Sequence, residues 1–197
     1  MAISTHSIPE LAAALSYGAQ GWKVFPLATI ADGKCTCYKG ASCGRSSGKH
    51  PLNEGWQETA TSDSVKIQRW LSRRPTPNIG IATGTPSGFF VLDVDGDEGA
   101  AEIKRQEKTH GPLPRTVESI TGGGGRHLLF QLPDFEVPNR TKFLPGLDIR
   151  GNGGLIVAPP SIHLSGNRYA WHVSPEEAPI APAPAWLLQE LRKQLKT

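Results

Sequence analysis

The stretch GFFVLDVDGDEG (residues 88–99) joins an apolar run to two closely spaced carboxylates, Asp93 and Asp95. Side chains two apart on a strand face the same side, so the two carboxylates share one face while Leu92 and Val94 point into a core. An unpaired carboxylate at the end of a buried strand carries a large desolvation cost. We therefore expect a metal, a buried basic partner, or a turn that returns the carboxylates to water.

A divalent-cation site is the functional interpretation of this strand end, because Mg²⁺ and Mn²⁺ favour carboxylate oxygens. The structural alternative is a polar strand end that leads into an Asp-Gly turn. A calcium-binding EF-hand loop starting at Asp93 is excluded, since it requires glycine and glutamate where Glu98 and Lys104 stand. A phosphatase of the haloacid-dehalogenase type, in which a strand ends in DxDG, stays open as an alternative for residues 93–96.

The composition is ordinary for a globular chain. Of its 197 residues, 38% are hydrophobic, and a net charge of +3 permits nucleic-acid binding without demonstrating it. No apolar run is long enough to span a bilayer, and the N-terminal MAISTHSIPELAAAL lacks the basic and apolar regions of an export signal. We therefore expect a cytoplasmic protein without a membrane partner.

Hydrophobic spacing and turn residues predict helices and strands without strict βαβ alternation, which indicates an α+β fold. A capping-box pattern at Ser7 predicts a first helix that ends near Gly21. Two hairpin-like arrangements are predicted, one joining 78–84 to 88–94 and one within 147–163. The remaining predicted elements are helices over about 63–73, 97–109 and 185–196, and strands over 22–27 and 168–173.

A run of four glycines precedes Arg126 and His127 in SITGGGGRHLLF (residues 119–130), which predicts a strand, a glycine loop and a strand. Glycines let a backbone approach a ligand closely and present N–H groups to anions. Arg126 offers a bidentate contact to phosphate, and His127 can donate to a phosphate oxygen. The structural alternative is a flexible hairpin with a surface arginine and a histidine that caps a strand.

A third carboxylate, Asp148, lies in LDIRGNGGLIVAPPS (residues 147–161) and shares a strand face with Arg150. One interpretation is a structural Asp–Arg pair on a hairpin. The functional interpretation makes Asp148 a third metal ligand and places Arg150 near the same phosphates.

Three cysteines, Cys35, Cys37 and Cys43, fall within nine residues, and His50 follows them. An odd count at this spacing argues against a disulfide framework. The set matches a tetrahedral Cys₃His zinc site, although its spacing is not the standard C-x₂-C. The alternative, a loop with three reduced surface thiols, is disfavoured because exposed thiols are prone to oxidation.

The order of these motifs resembles a known family. VLDVDG, TGGGGRHLLF and LDIRGNGGLIVAPPS resemble the prim-pol group of the archaeo-eukaryotic primase superfamily, the N-terminal primase/polymerase domain of many phage and plasmid replication proteins. GWKVFPL, GKHP, Trp56 and NIGIATG also match the usual run of that group, so the resemblance covers roughly residues 7 to 173.

The resemblance implies a template-dependent nucleotidyltransferase that uses two divalent ions, Mg²⁺ or Mn²⁺, and one structural Zn²⁺. It implies an archaeo-eukaryotic primase-like core with mixed or antiparallel sheets, in one catalytic domain (residues 1–197) of a longer replication protein from a bacterial, archaeal or phage-infected cell. The zinc-binding insertion would span about 28–57, with a C-terminal helix over about 185–196. Expected partners are single-stranded or primed DNA, dNTPs or NTPs, and a helicase domain or protein.

The resemblance also implies roles for particular residues: catalytic metal ligation by Asp93, Asp95 and Asp148, phosphate contact by His127, and weaker nucleotide contacts by Arg126 and Arg150. Two alternative functions stay open beside it. One is the metal-dependent phosphatase, and the other is a non-catalytic, zinc-stapled DNA-binding module of a replication protein.

Overall fold

The computed structural model describes residues 8–73 and 75–195 of the chain. Its α-helices are α1 (Pro9–Ala19), α2 (Trp56–Thr59), α3 (Ser64–Leu71), α4 (Gly96–His110) and α5 (Ala185–Leu195). Its strands are β1 (Val24–Leu27), β2 (Ile30–Ala31), β3 (Lys34–Cys35), β4 (Asn78–Ala82), β5 (Phe89–Val94), β6 (Glu118–Ile120), β7 (Arg126–Gln131), β8 (Arg140–Leu144), β9 (Leu147–Arg150), β10 (Leu155–Ala158) and β11 (Ala170–Val173). A 3₁₀ helix, Gly40–Ser46, follows β3. The predicted α+β class is confirmed.

The longer helices begin close to where the sequence predicts them. Asp63 caps α3, because its carboxylate accepts hydrogen bonds from the N–H groups of Val65 and Lys66 at 2.8 and 3.0 Å. Asp97 lies in the first turn of α4, where a negative charge favours the helix N-terminus. The predicted cap of α1, Ser7, lies outside the described residues. None of the described helices combines the length and the apolar character that crossing a membrane requires.

The chain divides into two units, of which the first comprises the described residues through Ala82 together with Val157–Tyr169. Its sheet has the order β1-β4-β10, with β1 antiparallel to β4. Helices α1 and α3 contact each other and β1. Gly18 permits their close approach, since a Cβ there would lie 2.7 Å from Ile67 Cδ1. The core of this unit includes the fully buried side chains of Phe25, Leu27, Ile67, Leu71, Ile79 and Ile81.

The second unit comprises Thr83–Ile156 and the described residues from Ala170 onward. Its sheet has the order β11-β6-β7-β5-β9-β8, and every neighbouring pair is antiparallel. Helices α4 and α5 cover one face of this sheet. Leu92 and Val94 point into that core as predicted, beside Phe90, Ile103, Leu128, Phe130, Leu147, Ile149, Trp186, Leu187 and Leu191.

The predicted hairpin-like connection between 78–84 and 88–94 is reduced to a single antiparallel bridge between Gly84 and Phe89, and the predicted pairing within 147–163 is wrong. The segments 78–84 and 88–94 form β4 and β5, which belong to different sheets, and β9 and β10 are likewise in different sheets. The turn residues encode a change of chain direction, but the pairing partners of each strand lie far away in sequence. Strand β8 was not predicted, because only Phe143 of its five residues is buried and no alternating pattern marks it.

Candidate active site

Strand β5 brings the predicted acidic residues into one place. Asp93 lies directly opposite His127 of β7 on one side and opposite Asp148 of β9 on the other. Directly paired residues project to the same face, and the extended backbone of Asp95 keeps it on that face as well. Oxygens of Asp93, Asp95 and Asp148 all lie within 4.8 Å of one another. Two neighbouring strands, β5 and β9, therefore assemble the acidic triad, and β7 places His127 beside it.

Arg150 is the main basic partner of this triad. Its guanidinium donates to Asp93 Oδ2 from Nε at 3.0 Å and from Nη2 at 2.8 Å, and Nη2 also donates to Asp148 Oδ2 at 2.8 Å. Asp93 is only 6% exposed, so its charge needs such a partner. The predicted Asp148–Arg150 pair is present. Arg150 also contacts Asp93 on the neighbouring strand β5, so its contacts are not confined to one hairpin.

The backbone of β8 orients Asp148. The N–H of Lys142 donates to Asp148 Oδ1 at 2.7 Å, and Lys142 has a positive φ of 54°. This conformation is unfavourable for a side chain other than glycine. It coincides with an irregular register between β8 and β9. A local distortion of the edge strand therefore accompanies the hydrogen bond that holds the second oxygen of Asp148.

His127 is buried between two polar partners. Its Nε2 lies 3.5 Å from Asp93 Oδ1, and its Nδ1 lies 3.4 Å from the hydroxyl of Ser119 on β6. Ser119 is fully buried and directly opposite His127 in the sheet. The row of polar residues thus continues from Asp148 through Asp93 and His127 to Ser119.

The glycine loop lies against the end of β5. A Cβ at Gly125 would lie 2.6 Å from the carbonyl oxygen of Val94 and 3.7 Å from Asp95 Oδ1, so only glycine fits this approach. The N–H groups of Gly124 and Gly125 donate to the backbone oxygen and the hydroxyl of Thr121. These two N–H groups are used within the turn, which corrects the expectation that they face an anion.

The donor set of the triad fits divalent cations. Three carboxylates this close repel one another unless positive charge lies among them, and Arg150 supplies only part of that charge. Oxygen donors of this kind are what Mg²⁺ and Mn²⁺ prefer. Asp95 is exposed, so the cluster is open to solvent at the end of β5. Asp93, Asp95 and Asp148 are the residues that would hold such cations.

The predicted zinc ligands are also assembled. Cys35 lies on β3, Cys37 and Cys43 lie in the following turn and 3₁₀ helix, and one ligand atom from each lies within 4.8 Å of the others and of His50. The Sγ atoms of Cys37 and Cys43 are 2.9 Å apart, well beyond the roughly 2.05 Å of a disulfide. Their shared hydrogen bond lowers the pKa of the Cys37 thiol and raises the pKa of the Cys43 thiol to about 12.

His50 supplies the observation that favours a metal in this cluster. Within the described residues, its Nε2 is buried without a hydrogen-bond partner. A buried polar atom without a partner is costly, and a metal ion bound to this nitrogen would satisfy it. Three thiols and one imidazole are a common structural zinc set. Cys35, Cys37, Cys43 and His50 therefore fit Zn²⁺.

Most of the chain matches the model of one known protein family. The family model described as bifunctional DNA primase/polymerase, N-terminal, matches residues 14–186. The chain belongs to this prim-pol family. Membership places the protein among the primase/polymerase enzymes of DNA replication and implies DNA and nucleotides as substrates. None of the curated proteins compared with the chain matches it.

One predicted residue of this prim-pol chain lies elsewhere. Arg126 precedes His127 on β7 and pairs with Val94 of β5, so its side chain lies on the opposite face of the sheet. There its Nε donates to Glu118 at 2.6 Å, a contact that raises the pKa of the Arg126 guanidinium. Arg126 does not join the acidic triad. The alternation of side chains along a strand already indicates that Arg126 and His127, which are neighbours in sequence, lie on opposite faces of the sheet.

Two residues that contact the candidate site were not predicted from the sequence. Ser119 carried a usable signal, because it sits on the strand predicted before the glycine loop. Its position opposite His127 nevertheless depends on the register of that loop. Lys142 carried none, since it contributes a backbone N–H from a strand that lacks an alternating pattern.

Proposed function

We propose that this prim-pol protein is a template-dependent DNA primase/polymerase that transfers nucleotides to a 3′-hydroxyl. The observation that carries the proposal is the row of Asp148, Asp93 and His127 across β9, β5 and β7, with Asp95 directly after the end of β5. When bound, two divalent cations would stabilise the attacking and leaving oxygens of the phosphoryl transfer.

The residues of the candidate site would have distinct roles. Asp93, Asp95 and Asp148 would hold the cations, and the buried position of Asp93 would fix them relative to β5. His127 would donate a hydrogen bond to a phosphate oxygen of the nucleotide while Ser119 orients its ring. Arg150 donates hydrogen bonds to both Asp93 and Asp148. It would therefore contact a triphosphate that approaches the same carboxylates.

The broader organisation is part of the proposal. The six-stranded sheet would be the archaeo-eukaryotic primase-like core, and Zn²⁺ on Cys35, Cys37, Cys43 and His50 would staple the loop over about residues 28–57. We propose that residues 1–197 act as one catalytic domain of a longer cytoplasmic replication protein, with a helicase domain or protein as partner.

Primer extension tests the proposed function. The parent protein is given primed template DNA, dNTPs and Mn²⁺, beside Asp93→Ala, Asp95→Asn and the control Asp97→Asn. Asp97 is exposed on α4 and is not part of the triad. We expect extension by the parent and the control and none by the other two. Asp95→Asn guards against misfolding, because Asp95 is exposed whereas Asp93 is buried.

Other outcomes would favour the alternatives. If neither the parent nor any variant extends a primer but all of them bind DNA, the non-catalytic DNA-binding module is favoured. If the parent instead releases phosphate from a phosphomonoester in an Asp93-dependent manner, the phosphatase is favoured. Both results overturn the polymerase proposal.

A further inference from the structure

The loop that holds the Cys/His cluster presents an aromatic ring to solvent. Tyr38 is 94% exposed, the largest exposure among the large hydrophobic residues of the described chain. The ammonium group of Lys39 lies 5.7 Å from the centroid of its ring. We propose that Tyr38 and the basic residues around the Cys/His cluster form a binding surface for single-stranded DNA.

The charge of the loop supports an anionic ligand. Residues 32–50 contain four basic residues, Lys34, Lys39, Arg45 and Lys49, against a single acidic residue, Asp32. The first three basic residues are exposed, and Lys49 is half-buried. Within the part of the chain that the structure describes, none of the four forms an ion pair. Their positive charge is therefore available to phosphates.

The Cys/His cluster concentrates these residues in space. Each of the four basic residues, like Tyr38, lies one or two positions from one of the four ligand residues, whose ligand atoms lie within 4.8 Å of one another. Two residues of chain span at most about 7 Å. The backbone positions of Tyr38 and the four basic residues therefore lie close to one centre rather than being spread along an extended segment.

The combination of a ring with cations distinguishes single-stranded DNA from other anions. An exposed aromatic ring stacks on an unpaired base, and neighbouring cations bind the backbone phosphates. In duplex DNA the bases are already stacked, so the ring would have no base to contact. The inference rests on the proposed function in taking template DNA as the ligand, but it concerns binding and not nucleotide transfer.

Fluorescence anisotropy with a labelled oligothymidylate tests the surface. We expect Tyr38→Ala to weaken binding about 5- to 150-fold, the range for losing one base stack, and Tyr38→Phe to bind like the parent. The pair Lys39→Gln and Arg45→Gln should reduce the salt dependence of log K by about 1.4. The control pair, Lys104→Gln and Lys108→Gln on the exposed face of α4, should change neither quantity.

The controls make the result unambiguous. Zinc content is measured for each variant, and only variants with the zinc content of the parent are compared. This separates loss of the binding surface from loss of the zinc that holds the loop. Binding by Tyr38→Ala and the Lys39/Arg45 pair equal to that of the parent overturns the inference, as does an equal loss in the Lys104/Lys108 pair. Loss of extension in Asp95→Asn with unchanged anisotropy leaves the surface in place, so the two proposals fail separately.

Discussion

Arg150 donates two hydrogen bonds to a single carboxylate oxygen of Asp93, from Nε at 3.0 Å and from Nη2 at 2.8 Å. The two residues lie on neighbouring strands, and the same guanidinium reaches Asp148. The sequence puts a carboxylate at the end of a buried strand, where its desolvation must be offset. In the fold this arginine offsets that cost, even without a metal.

Removing Arg150 should destabilise the metal-free protein. Arg150→Ala leaves buried Asp93 close to Asp148 without its cation, and we expect a loss of about 1.5–3 kcal/mol in the free energy of unfolding. Urea denaturation in the presence of a chelator measures it, and Mn²⁺ should recover part of the loss. Arg192→Ala removes an exposed pair with Asp134 and should cost about 1 kcal/mol or less. Equal midpoints for the two variants would contradict the prediction.

Replacing His127 should impair nucleotide transfer more than folding. We expect His127→Ala to lower kcat/KM for the incoming nucleotide about 10²- to 10³-fold, because one preorganised donor to the phosphates is lost. Steady-state extension kinetics measure it. His172→Ala, which changes an exposed histidine on β11 of the same sheet, is the control. A His127→Ala enzyme with the kinetics of the parent would remove this residue from the proposed site.

The Cys/His cluster should hold one equivalent of zinc. Elemental analysis of the purified protein should find it, and Cys35→Ser should lose it because one of four ligands is gone. The loop should then become sensitive to protease. Ser46→Ala, an exposed change in the same loop, should keep both the zinc and the protection. A native preparation that lacks zinc and still protects the loop would refute the assignment.

Helix α4 should contribute a measurable acid sensitivity. Two hydrogen bonds from Arg105 to Glu102 hold the pKa of the Glu102 carboxyl below its ordinary 4.5. The stabilisation is therefore complete above about pH 4.5 and is lost as the pH falls through the lower pKa of the folded state. Thermal unfolding measures the prediction: between pH 6 and pH 3, the melting temperature should fall less steeply for Glu102→Gln than for the parent. Arg105→Ala should behave like Glu102→Gln, and parallel curves for all three proteins would contradict the prediction.

Much of the site was determined locally by the sequence. The alternation in residues 89–95 put Asp93 and Asp95 on one face and Leu92 and Val94 in the core, as the structure shows. The short spacing of Cys35, Cys37, Cys43 and His50 predicted their cluster. Asp63 and Asp97 marked helix starts. These features depend on neighbours within a few residues, where the geometry of the backbone is nearly set by its period.

Only the tertiary structure decided which strands are partners. It paired β5 with β7 and β9, split both predicted hairpins between sheets, and turned Arg126 away to Glu118 while Arg150 became the partner of Asp93. The physical reason is that a strand's hydrogen bonds are satisfied equally well by many partners. The choice among them depends on which faces can be buried together, and that is a property of the whole chain.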